Sequence, residues 1–109
     1  MSVPDPNAFS LDINDPADAE LIEYFLGELP ERVDEISAAF SNDDFDHLER
    51  LAHQLKGAAP GFGFPAIGSE AGKLESQIRE ISDPADGVDE LRSQVESLVA
   101  LCQSFINPS

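Results

Sequence analysis

The sequence predicts an all-α protein, an antiparallel four-helix bundle with an irregular N-terminal arm. Three observations predict it. Apolar residues recur every three or four positions along four successive stretches. Helix-start chemistry stands ahead of each stretch. The links between them are short, which makes consecutive helices antiparallel neighbours. No part of this region alternates for long enough to make a strand. At 109 residues the chain is one domain with a single core.

The elements follow in order. Residues 1–14 form the arm, with Phe9, Leu11 and Ile13 alternating along it, and residues 15–107 form the bundle. Asp15-Pro16 opens the first helix. Asp accepts hydrogen bonds from free N–H groups, and Pro at the first helical position loses no bond. Leu21, Ile22, Phe25, Leu29, Val33, Ile36 and Phe40 continue in phase through Pro30, so a kinked helix is expected there rather than a break. Asn42 is the cap candidate for the second helix, whose stripe is Phe45, Leu48, Leu51, Ala52, Leu55 and Ala59. Pro60-Gly61-Phe62-Gly63 ends it. A third helix starts at Pro65 and carries Ile67, Ala71, Leu74, Ile78 and Ile81. Asp83-Pro84 opens a fourth, with Val88, Leu91, Val95, Leu98, Leu101 and Phe105.

Composition narrows the function. Twenty-two acidic residues against six basic ones give a formal net charge of −16. Such a surface repels nucleic-acid backbones and anionic membranes, so neither is an expected partner. The N-terminal residues lack a basic leader and an apolar stretch, and no apolar run approaches membrane-spanning length. A soluble cytoplasmic monomer is expected. The single cysteine, Cys102, lies in an apolar run and is expected to be a buried thiol.

The chemistry is concentrated around His53. At about 100° per residue, His53 lies roughly 140° from the centre of the second helix's apolar stripe, and Gly57 nearly opposite that centre. Lys56 and Gly57 stand at i+3 and i+4, on the face His53 occupies. A phosphoryl group on the imidazole would have a cation within reach and a missing side chain beside it. Gly57 admits two explanations, clearance for a partner and close packing of another helix. From Leu51 to Ser69 there is no Asp or Glu, which suits a surface that must meet a dianionic group.

Ala52-His53-Gln54-Leu55-Lys56-Gly57-Ala58-Ala59, then Gly63, Ile67 and Leu74-Glu75, resemble the histidine phosphotransfer (HPt) family of two-component phosphorelays. The family pattern is His, Lys at +3, Gly at +4, small residues, Gly at +10, an apolar residue at +14 and a later Leu-Glu. Phe25 to Arg32 looks like the family's first bundle helix, proline included, and the resemblance covers roughly residues 16 to 106. It departs just after Lys56-Gly57, where family members often carry Ser and this chain has Ala58 and Ala59. The resemblance implies that His53 is the phosphoacceptor through Nε2, with the proton on Nδ1. It further implies that Lys56 stabilises the phosphate and that Gly57 gives a receiver access. The group would come from a receiver-domain aspartate and pass to another receiver. The partners implied are response-regulator receiver domains and a hybrid sensor histidine kinase. Mg²⁺ is expected on the receiver, and this chain is expected to hold no metal or cofactor.

Other readings fit less well. Gly68-Ser69-Glu70-Ala71-Gly72-Lys73-Leu74 is one residue short of a P-loop and has Leu in place of Ser or Thr. The chain is therefore expected to carry phosphate without kinase or ATPase activity of its own. Paired Glu-x-x-His motifs of a di-iron bundle are missing, since Glu49 and His53 are four apart. His47 falls on another face. A bundle that binds receivers without carrying phosphate is the remaining alternative.

Overall fold

The computed structural model describes residues 15–81 and 84–107, residues 84–86 by backbone alone. It contains α1 (Pro16–Ser41), α2 (Phe45–Ala58), a 3₁₀ turn (Pro60–Phe62), α3 (Pro65–Glu80) and α4 (Pro84–Ile106), with no strand among the described residues. The expected arm and Asp83 lie outside the described residues. Each helix packs on the next in sequence, α4 closes the ring against α1, and the diagonal pairs are not neighbours. The four-helix bundle is thus the architecture that short links between amphipathic helices dictate.

Local chemistry explains the boundaries. The Asp15 carboxylate accepts from the Ala17 N–H at 2.9 Å, and α1 runs unbroken through Pro30. Pro30 lies on the exposed side, where water can reach the carbonyl that lost its donor. The cap expected at Asn42 is instead at Asp44, whose side chain accepts from the His47 N–H at 3.3 Å. Asn42 is consumed in ending α1. Asp43 adopts φ 57°, the Asp43 N–H donates to Phe40 O, and the Asp44 N–H donates to Ala39 O. This is the paired-bond termination usually built on glycine. Gly63, with φ 91°, builds the same closure after α2, where Gly63 donates to Pro60 O and Phe64 to Ala59 O.

The core is the meeting of the four apolar stripes. Phe25, Leu29, Leu48, Leu55, Ile67, Leu74, Leu91 and Leu98 are fully buried. Cys102 is buried as expected, and burial pushes its thiol up to about 11. Leu21 and Phe105, both read into the stripes, are instead exposed. The phenylalanine-rich link has a packing role. Phe25 stacks on Phe62 at 5.2 Å and on Phe64 at 5.1 Å, and Phe105 meets Phe64 edge-on at 5.0 Å. These rings clamp the α2–α3 turn between α1 and α4.

Candidate functional site

The site lies on the seam between α2 and α3, and a close contact beside the turn sets that seam's register. A Cβ at Gly68 would stand 2.7 Å from Pro60 Cγ and 3.3 Å from the Lys56 carbonyl oxygen. Only glycine admits that approach. Further along, the Lys56 stem lies against Gly72, His53 meets Glu75, and Glu49 meets Arg79. Each step of four, three and four residues back along α2 is matched by the same step forward along α3. This is the spacing of an antiparallel helical seam.

His53 stands on this seam with its side chain 67% exposed, as the helical wheel predicts. Its Nδ1 is 2.5 Å from Glu75 Oε2. Nδ1 and Nε2 lie at different corners of the ring, so this contact does not engage Nε2. An ionised carboxylate can only accept, so the facing Nδ1 carries the proton, and in the neutral imidazole the lone pair then belongs to Nε2.

Glu75 entered the sequence reading only as part of the Leu74-Glu75 match, with no role in the site. Its side chain is only 2% exposed, yet three donors converge on it. Besides His53, Lys56 Nζ donates to Oε1 at 3.1 Å and Arg79 Nη2 to Oε2 at 3.2 Å. Burial raises the carboxyl's proton affinity. Hydrogen bonds from Lys56 and His53, and the charges of Arg79 and Lys56, outweigh that and hold Glu75 below the usual carboxylate range. A buried carboxylate is tolerated because it is fully paired. Arg79 in turn donates from Nε to Glu49 Oε1 at 2.7 Å, so it bridges the two helices.

The structure therefore brings His53 and Lys56 together through Glu75, beside Gly57. A Cβ at Gly57 would meet nothing within 4 Å, so close helix packing does not account for that glycine. The packing glycine is Gly68. The acid-free stretch holds along the chain but not in space. Glu75 arrives from α3, and Glu28, Glu31 and Glu35 of α1 line a groove with Arg32 and Gln54. The carboxylate nearest the ring contacts Nδ1 and not the free Nε2. His47 is half-buried and belongs to the start of α2 through its backbone bond to Asp44.

Glu75 did leave a signal. It follows Leu74 directly and lies four residues after Ala71, so it borders the apolar stripe of α3, where a lone charge wants a partner. The family pattern holds both residues, but nothing in the linear order put Glu75 in contact with His53, 22 positions away.

Among the described residues no helix is long and apolar enough to cross a membrane. A family model for the Hpt domain matches residues 20–101. No curated protein and no solved structure matches the chain.

Proposed function

The chain belongs to the Hpt domain family, the phosphotransfer modules of two-component signalling, and we propose that it carries the phosphoryl group on Nε2 of His53. The observation that carries this reading is the pairing of an exposed imidazole with a buried carboxylate at Nδ1. The donor is a receiver-domain aspartyl phosphate. The Nε2 lone pair forms the N–P bond as the P–O bond to the aspartate breaks, and that electron pair returns to the receiver's carboxylate. The ring becomes cationic, with its proton still on Nδ1. Glu75, already ionised and 2.5 Å away, meets that positive charge without reorganising. Breaking the N–P bond returns the pair to Nε2 and delivers the group to a second receiver.

In this reading Lys56, one turn from His53, supplies the cation that neutralises the phosphoryl oxygens once it leaves Glu75, and the open space at Gly57 admits the receiver. Phosphoryl transfer depends on such positioning and charge neutralisation more than on covalent assistance. Any Mg²⁺ acting on the phosphoryl group belongs to the receiver in this reading. The chain acts in the cytoplasm, between a hybrid sensor kinase and a response regulator.

The test is incubation with a phosphorylated receiver. An acid-labile, base-stable phosphate on the wild-type chain is expected, with none on His53→Gln and an unchanged helical circular dichroism spectrum. Equal labelling of the variant would end the proposal.

A further inference from the structure

We infer that Arg79 is a positioning residue that releases Lys56 to the phosphoryl group, an inference that rests on His53 as the carrier. As the structure stands, Lys56 Nζ is engaged by Glu75 Oε1 at 3.1 Å. A cation held there serves the carboxylate and not a group on Nε2. Once the ring carries phosphate, one lysine faces two anions, the phosphoryl group and Glu75.

If Lys56 left alone, it would strip a cation from a carboxylate whose side chain is 2% exposed, and a buried charge without its partner is costly. Arg79 removes that obstacle. Its Nη2 already contacts Glu75 on Oε2, the oxygen Lys56 does not use. Its Nε is anchored on Glu49, four residues before His53, so the guanidinium stays in place while Lys56 moves. Its fork can serve both carboxylates at once, which a lysine's point charge does less well. The Lys56 stem rests along Gly72, and its side chain is half exposed, so nothing cages it.

The readout is the titration of the phosphoryl group, followed by ³¹P NMR after charging the full chain with phosphoramidate. A cation on the phosphoryl oxygens favours the dianion and lowers the last phosphoryl pKa. In Arg79→Gln, Lys56 stays on Glu75, and that pKa rises by roughly half a pH unit, about a threefold change in proton affinity. Lys56→Ala produces the full rise. The decisive variant is the double one, Lys56→Ala with Arg79→Gln, which matches Lys56→Ala alone. A direct attraction between Arg79 and the phosphoryl group, lost with the Arg79 charge, would instead raise the pKa further in the double variant.

Other charges lining the two flanking grooves are Glu28, Glu31, Arg32 and Glu35 of α1 and Lys73 of α3. They are common to all variants and cancel. Arg79→Lys restores most of the effect. Glu49→Ala, which removes the anchor of Arg79, raises that pKa when Lys56 is present and not in the Lys56→Ala background, and it supplies a check should Arg79→Gln fold poorly. An unchanged pKa in Arg79→Gln, or an equal Arg79 effect with and without Lys56, overturns the inference while leaving His53 as the carrier. A wild-type chain that yields no phosphohistidine resonance overturns both.

Discussion

Glu75 and Glu70 stand five residues apart on α3, and the structure uses them in opposite ways. Glu70 is partly exposed and faces α4. It accepts from Gln94 Nε2 at 2.7 Å and from Lys73 at 3.1 Å. The Gln94 bond first, and then Lys73, hold its carboxyl below the usual range. Glu75 is buried, faces α2, and gathers His53, Lys56 and Arg79. Both carboxylates are ionised and hydrogen-bonded. One ties two helices together at the surface, where pairs contribute about 0–1 kcal/mol. The other holds a ring in one tautomer, and its burial commits three donors to a single point. Charge pairing alone therefore does not mark a functional site on this helix. Burial beneath an exposed imidazole is what sets Glu75 apart.

The sharpest way to break the comparison is Glu75→Gln. An amide can face Nδ1 with either its oxygen or its NH₂ group, so the tautomer is no longer enforced and the positive ring loses its counter-charge. Receiver-to-chain transfer is expected to fall roughly tenfold or more, the scale seen when a partner that orients a ligating imidazole is removed, while circular dichroism stays helical. A wild-type rate would make Glu75 a purely structural acid. Lys56→Ala comes next. It leaves the Nδ1 contact in place and removes the cation proposed for the phosphoryl group together with one donor to Glu75, so transfer is expected to slow by roughly three- to tenfold. Stopped transfer would mean that Lys56 does more than neutralise charge.

Acid separates the two glutamates thermodynamically. Both carboxyls are lowered by folding. Each therefore contributes stability that is fully present above the ordinary carboxylate range and is lost as pH falls through its depressed folded value. In urea unfolding, wild type is expected to exceed Glu75→Gln at pH 7, and the gap is expected to close as pH drops below about 4. A gap that widens in acid would reverse the sign assigned to Glu75. The smallest effect is expected for Glu70→Gln. Stability changes by about 0.5 kcal/mol or less, and phosphotransfer is unaltered. A transfer defect there would mean that the α3–α4 seam also shapes the site.

Much of this arrangement was legible beforehand. Leu48, Leu51 and Leu55 define a face, and His53 and Gly57 must then lie away from it. Lys56 must follow His53 around the same helix. The starts at Pro16, Pro65 and Pro84 were equally plain. Asn42 misled because a cap residue can end one helix as readily as begin another. Asp43 in the left-handed region settled that choice. The acid-free stretch misled because distance along the chain says nothing about which helix lies alongside.

The linear order of residues by itself determined the four helices and the outward placement of His53, Lys56 and Gly57. Helical periodicity is local, and each wheel can be drawn from a dozen residues. Tertiary packing alone decided that Glu75 sits beneath His53 and that Arg79 spans from it to Glu49. Two amphipathic helices can slide past one another by a turn and still bury their stripes. What stops the slide is Pro60 seated against Gly68, with Phe62 and Phe64 packed on Phe25. That contact chooses which residue of α3 meets the imidazole.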